Sequence, residues 1–385
     1  MGAGVLSLSV VLAAACGGGS AATDEGAPPS GTAPSPAPTT KPSGGGDLPD
    51  AAGAANDGSA GDAGDASSTN GIDANDHAVI AGASCKAPLP GNGARASALP
   101  VYAGACPSLA ASPSFTTITS GGAQRTFIVF RPTTIAAGEK LPVVFLWHWL
   151  GGSPEDMGSK LEVQTAVDAR RFIGVVPAPK GDALFRWPFE ATQSQGRVDE
   201  EAAFFDDMLA CVGAALPVNK ECVSSVGVSA GALWTAQLGT ARSARLSSMV
   251  VLSGGTGGVV RGWSTAAHRL PALVLWGGES DMYPKNVPIM NFQNASKNLI
   301  GALATDGHYL VECTHNCGHA VPPFDVPAPP GLVFDTVWRF VLDHPYWLTA
   351  SKSPYAGKPL PSAYPSWCGQ GQGSAVARPA SAACP

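Results

Sequence analysis

Val223-Ser224-Ser225-Val226-Gly227-Val228-Ser229-Ala230-Gly231-Ala232-Leu233 is the stretch on which the fold turns. A β-rich run ends at Val228, a serine follows between small residues, and the chain then reads as helix from Gly231 to Arg242. A strand that passes into a helix through so short a turn has room only for small side chains beside the serine, and it lifts the hydroxyl above the end of the sheet. In a chain with 47 glycines a Gly-x-Ser-x-Gly string alone could be a turn with an idle serine. The strand before it and the helix after it are what give it weight.

The same alternation runs outward on both sides. Short apolar runs predict strands at Arg125–Arg131, Leu141–Trp147, Phe172–Pro177, Val223–Val228, Ser248–Leu252, Ala272–Trp276 and His308–Cys313. Amphipathic stretches predict helices at Pro154–Ala169, Asp199–Leu216, Gly231–Arg242, Val287–Ala304 and Leu332–Asp343. Several of the strands are apolar on both faces, which requires helices on both sides of a mostly parallel sheet. The fold class is therefore α/β.

The formal net charge of −6 comes without any Lys/Arg cluster, which argues against nucleic acid as a partner. Residues 2–15 are apolar, too short to span a bilayer, and end in small residues, so 1–16 reads as an export signal. Cys16 before Gly-Gly-Gly-Ser resembles the lipidated cysteine of a bacterial lipoprotein, which would anchor the chain at the cell envelope; the other reading is ordinary cleavage after a small-residue site. Residues 17–84 are mostly Gly, Ala, Ser, Pro, Thr and Asp, with hardly a branched apolar residue, and cannot bury enough surface to offset the entropy of ordering. They are expected to form a disordered linker with a span on the order of 45 Å. One domain is expected over 85–348 and an irregular tail over 349–385, in an exported monomer. Beyond Cys16 the chain has eight cysteines, an even number that argues for disulfides in an exported protein. Their sequence-local couples are Cys85 with Cys106, Cys211 with Cys222, Cys313 with Cys317 and Cys368 with Cys384.

An unactivated serine is a poor nucleophile at neutral pH, so a base and an orienting acid must follow it, in the order acid then histidine. Ala272–Trp276 runs into Gly277-Gly278-Glu279-Ser280-Asp281, which puts a carboxylate at the C-terminal end of a strand; Asp281 is the choice and Glu279 its rival. After the last strand comes Cys313-Thr314-His315-Asn316-Cys317-Gly318-His319. His319, following a glycine well past the strand, can fold back over Ser229 more readily than His315. The alternating Cys and His could instead be zinc ligands, but export favours disulfides and a metal would occupy the base. Neither a metal nor a cofactor is called for. Acyl transfer also needs two N–H groups aimed at the developing oxyanion. Ala230 supplies one, and Leu150, or else Trp149, the other, from the loop His148-Trp149-Leu150-Gly151-Gly152. His148 reads as a structural residue of that loop. Trp149, Trp187 and Trp234 are candidate substrate contacts among several tryptophans near the expected site, although burial in the core is the commoner fate of the residue.

Here the chain resembles a known group. The His-x-x-Gly-Gly loop, the Gly-Val-Ser-Ala-Gly elbow, the Gly-Gly-Glu-Ser-Asp turn and the Cys-Gly-His-Ala-Val-Pro segment, in that order, are similar to the secreted polyhydroxybutyrate depolymerase and feruloyl esterase group of α/β-hydrolases, as is Phe204-Phe205-Asp206-Asp207-Met208. The resemblance covers about Arg125 to Tyr346. It implies the α/β-hydrolase fold, a triad of Ser229, Asp281 and His319, and short-chain hydroxyacyl or hydroxycinnamoyl esters, polymeric ones included, as substrates. Trp149 departs from the pattern, since the group usually has Gly there. An indole beside the oxyanion hole either shapes an acyl pocket or blocks it, and so a polymer-binding protein on a decayed hydrolase scaffold is the alternative from another class. A serine peptidase on the same fold is a third, because fold and triad do not fix the acyl group.

Overall fold

The computed structural model describes residues 84–285, 289–325, 331–348, 353–379 and 381–384. The expected export signal, Cys16 and the expected linker up to residue 83 lie outside the described residues.

Chain order gives β1 (Ser114–Ser120), β2 (Ala123–Phe130), β3 (Leu141–Trp147), α1 (Pro154–Lys160), α2 (Val163–Arg170), β4 (Ile173–Pro177), α3 (Gln195–Ala215), β5 (Val218–Val228) and α4 (Ala230–Ala241). Then follow β6 (Ser248–Leu252), β7 (Ala272–Trp276), β8 (Met282–Tyr283), β9 (Met290–Asn291), α5 (Phe292–Thr305), β10 (Leu310–Thr314), α6 (Asp335–Asp343) and β11 (Cys368–Gln370). Nine strands form one sheet in the order β1-β2-β4-β3-β5-β6-β7-β10-β11. Its centre, from β4 to β10, is parallel, and β1, β2 and β11 close the two edges antiparallel.

Alternation along β3 explains why helices cover both faces. Val143, Phe145 and Trp147 pack with Phe204 and Phe205 of α3 and Trp234 of α4, whereas Val144 and Leu146 pack with Met157 of α1, Val163 of α2 and Trp338 of α6. Every residue of β3, β4, β6, β7 and β10 is buried, as their apolar sequences require.

Where structure and sequence reading differ, the reasons are local. The single helix expected over Pro154–Ala169 is two, broken at Glu162, which sits at φ 51°. Leu161 and Val163 both enter the same core cluster. Residues two apart cannot share one face of a continuous helix, so the chain breaks between them. β1 has no apolar signal because its alternation is nearly all polar: Ser114, Thr116, Ile118 and Ser120 point in, while Phe115 is exposed. The tail is not wholly irregular, since β11 pairs with β10 and Tyr355, Tyr364 and Trp367 are buried.

The eight cysteines do form four disulfides, but none is a sequence-local couple: the bonds are Cys85–Cys222, Cys106–Cys211, Cys313–Cys368 and Cys317–Cys384. Cys313 faces Cys368 directly across the β10–β11 pair, so it has no reach left for Cys317. Cys211 on α3 and Cys222 on β5 each hold the segment that precedes β1 rather than one another. These pairings also remove the zinc reading of the Cys/His alternation, because both of its cysteines are bonded elsewhere.

Candidate active site

Ser229 follows β5 and stands at the N-cap of α4 with φ 54° and ψ −117°, a backbone conformation that a side chain adopts only when its surroundings enforce it. The enforcement is visible. The Ser229 N–H donates to the Leu252 carbonyl of β6 at 2.9 Å. A Cβ on Gly227 would lie 2.1 Å from the Gly231 oxygen, and one on Gly231 would lie 2.0 Å from the Trp147 oxygen. Both glycines are therefore required by close approach of backbone to backbone, which is why the motif reads as it does. Gly231→Ala is expected to cost at least about 3 kcal/mol and roughly 5–10 °C in Tm, or to prevent folding. Gly196→Ala, whose Cβ would meet nothing within 4 Å, should leave the melting curve unchanged.

Three side chains meet over this elbow. The Ser229 Oγ lies 2.9 Å from His319 Nε2, and His319 Nδ1 lies 2.7 Å from Asp281 Oδ1. With the imidazole neutral, Nδ1–H donates to the carboxylate and Nε2 accepts from the serine hydroxyl, the tautomer assigned by this network. Asp281 is fully buried, and its Oδ2 accepts from the Ser253 hydroxyl and the Gly277 N–H, each at 2.8 Å. Phe292, the first residue of α5, stacks on the His319 ring at 4.1 Å between centroids and 12° between planes. Its N–H donates to the Asp281 carbonyl, so one residue braces both Asp281 and His319. The loops after β7 and β10 are joined by Gly318 N–H donating to the Gly277 carbonyl at 2.7 Å.

The rivals stand elsewhere. Glu279 is exposed on the turn. His315 is buried, its Nδ1 accepts from the Cys317 N–H, and burial pushes its imidazole down to about 4. It is a packing histidine, with its ring edge-on to Trp367. His148 is buried too, its Nδ1–H donating to the Trp149 carbonyl at 2.9 Å, and burial lowers its pKa. This bond and the reciprocal Ser153–Asp156 cap of α1 fix the two ends of the loop that carries Leu150.

Two cavities meet at Ser229. The larger, about 510 Å3, has walls of Trp149, Leu161, Val228, Leu252, Pro322 and Phe334, and reaches Leu150 and His319. The smaller, about 30 Å3, lies between Leu150, Ala230, Leu233, Tyr283 and Phe292. Ala230 opens α4, so its N–H has no intrahelical acceptor and is free to donate beside the serine. Leu150 borders both cavities from the opposite side.

Of the three tryptophans expected at the site, only Trp149 reaches a cavity. Its half-buried indole lies against Gly152, where a Cβ would come within 2.8 Å of the ring. Trp187 and Trp234 are fully buried and must be corrected to core residues. Both meet Trp147 edge-to-face, at 5.1 and 5.9 Å, and Trp187 donates its indole N–H to the His148 carbonyl. They support the elbow from below. Ser253 and Phe292 were not anticipated. Ser253 could have been found as a polar residue just past the C-terminal end of β6. Phe292 carries no such signal, since nothing local marks an aromatic that will stack on a distant ring.

No family model and no curated protein matches this chain. Among solved structures it is similar to a pOPH variant in complex with DMSO, with TM-score 0.54 and 15% identity over 71% of this chain and 98% of the other. Native sOPH gives TM-score 0.54 and 16% identity over 69% and 97%. A ferulic acid esterase is more distant, at TM-score 0.42 and 15% identity over 54% and 90%. At such identities the likeness is one of fold, and together with the sheet order it makes this an α/β-hydrolase fold.

Proposed function

We propose that the protein is an exported serine esterase that hydrolyses carboxylic esters through an acyl-enzyme. The observation that carries this reading is the unbroken hydrogen-bond chain from Ser229 through His319 to the buried Asp281, at 2.9 and 2.7 Å. A scaffold that had lost its chemistry would have no reason to keep a strained serine, an imidazole and a buried carboxylate in this order.

In the proposed reaction the Ser229 Oγ attacks the ester carbonyl while its proton passes to His319 Nε2. Asp281 holds the imidazolium that forms, and the Ala230 and Leu150 N–H groups donate to the developing oxyanion. The tetrahedral adduct collapses by breaking the bond to the alcohol oxygen, which takes the proton back from Nε2. Water then repeats the sequence on the acyl-enzyme and releases the acid. The larger cavity at Ser229, about 510 Å3, supplies the space for the ester. No residue in this scheme calls for a metal or a cofactor. Four disulfides support export to an oxidising compartment. Among the described residues no helix is long and apolar enough to cross a membrane.

The substrate class follows from the resemblance to polyhydroxybutyrate depolymerases and feruloyl esterases and from the apolar wall of the larger cavity. We read Trp149 as part of that wall. An aromatic stacking partner contributes about 0.5–1.5 kcal/mol. Trp149→Ala is accordingly expected to raise KM up to about tenfold for methyl ferulate and less for an acetate ester. Equal effects on both esters would remove the indole from substrate recognition. The function itself is tested by offering hydroxybutyrate oligomers, methyl ferulate, acetylated xylan and p-nitrophenyl butyrate to the purified protein beside its Ser229→Ala variant. Turnover of none of them would end the esterase reading.

A further inference from the structure

We propose that the C-terminal segment around Arg378 and Cys384 is a strap that positions His319 for catalysis. The inference rests on the reading of His319 as the base and names what holds it in place.

The loop that carries His319 has two sides. On the inner side, Gly318 is bonded to Gly277. On the outer side the loop is held by the tail. The Arg378 N–H donates to the Thr314 carbonyl at the end of β10, at 3.0 Å. The Asn316 side-chain amide donates to the Arg378 carbonyl at 3.2 Å. The Arg378 guanidinium in turn donates to the carbonyls of Ala382 and Ala383, at 3.2 and 2.6 Å, and lies 3.6 Å from Cys317 Sγ. The Cys317–Cys384 disulfide then fastens the tail end covalently two residues before His319.

These contacts act on one short stretch. Thr314, Asn316 and Cys317 are each tied to the tail, and the residues just beyond His319, Ala320 and Val321, are exposed. Upstream, the tail is anchored in its own right by β11, by Cys313–Cys368 and by the Gly373 N–H on Glu312. The strap therefore runs from a fixed point on the sheet edge to the base loop, and Arg378 folds its last turn back on itself. Proton transfer needs the imidazole within hydrogen-bond reach of the hydroxyl, and a displacement near 1 Å can cost ~10²-fold in rate. A loop held from one side only would sample such displacements. Arg378, Asn316 and Cys384 are positioning residues on this account, since none of them touches the reacting atoms.

The test compares the full-length Cys317→Ser/Cys384→Ser and Arg378→Met variants with Cys106→Ser/Cys211→Ser, which removes a disulfide that ties down the segment before β1. The readouts are kcat and KM on p-nitrophenyl butyrate, and hydrogen exchange in the peptide covering 315–319. Loss of the strap should lower kcat at least about tenfold for the cysteine pair and about threefold for Arg378→Met, with KM within twofold and faster exchange in 315–319. The control pair should melt at lower temperature with kcat and 315–319 exchange as in wild type. Unchanged kcat and exchange in the strap variants would overturn the proposal, as would an equal loss of kcat in the control pair. If the cysteine pair does not fold, Arg378→Met decides by the same criteria. If the wild type turns over no ester, the esterase reading fails, and the exchange comparison alone still decides whether the tail holds the loop.

Discussion

Ser229→Ala is expected to lower kcat for any ester substrate by about 10⁴- to 10⁶-fold and to abolish labelling by a fluorophosphonate probe. The size of the effect follows from the geometry. In the proposed mechanism Ser229 Oγ is the atom that forms the covalent bond, and His319 Nε2 lies 2.9 Å from it. What remains after the substitution is binding and oxyanion stabilisation by the Ala230 and Leu150 N–H groups. His319→Ala should cost nearly as much, and the double variant no more than either single one, because the two side chains work as a unit. Asp281→Asn should keep the serine in place but destroy the imidazole orientation, again with a loss of several orders of magnitude. Turnover surviving Ser229→Ala within tenfold of wild type would remove the nucleophile assignment; additive losses in the double variant would show that serine and histidine do not cooperate.

The second large effect concerns stability in acid. His268, His315 and His344 are buried, and burial holds each imidazole near 4 instead of the ordinary 6.5. His344 donates from Nδ1 to the Phe340 carbonyl and accepts at Nε2 from the Ser353 hydroxyl, an arrangement that has no room for a second proton. The unfolded chain therefore binds more protons than the folded one between about pH 6.5 and pH 4, so stability is complete above that window and is lost as pH falls through it. Below about pH 4 both states are protonated and this contribution stops changing. The gap corresponds to about 3 kcal/mol per imidazole as an upper bound, so three of them approach the whole stability of a typical domain. Asp343 and Glu312 work in the other direction, because burial raises both carboxyls and the folded state then gains protons in acid. The net expectation is a Tm that falls steeply between pH 6.5 and 4.5. In His344→Gln the dependence of unfolding free energy on pH should be shallower by about one proton. A flat stability profile across that window would mean that these imidazoles titrate freely in the folded state.

Much of this site is legible in the sequence because each of its parts has a local cause. Ser229 is marked by glycines that cannot be replaced, Asp281 by a turn at the end of a fully apolar strand, and His319 by the glycine-containing loop after the last parallel strand. β3, β6 and β7 match their expected bounds residue for residue, since a parallel strand buried on both faces is an unbroken apolar run. What is not legible depends on partners far away in the chain. Nothing near Cys317 says that it will bond to Cys384, 67 positions on. Nothing near Trp187 says that a core position under the elbow, rather than the cavity, will take its indole. The break at Glu162 likewise depends on where the core lies relative to two neighbouring apolar residues, and not on either residue alone.

The two ends of the described chain sit very differently with respect to the mouth. Cys85 is bonded to Cys222, near the start of β5, whereas Ser229 follows that strand's last residue, about 23 Å further along. Cys384 is bonded to Cys317, two residues before His319. A reporter, resin or display partner attached beside Cys384 would therefore pull on the loop that carries His319, while attachment through the segment at Cys85 would act at the far end of β5.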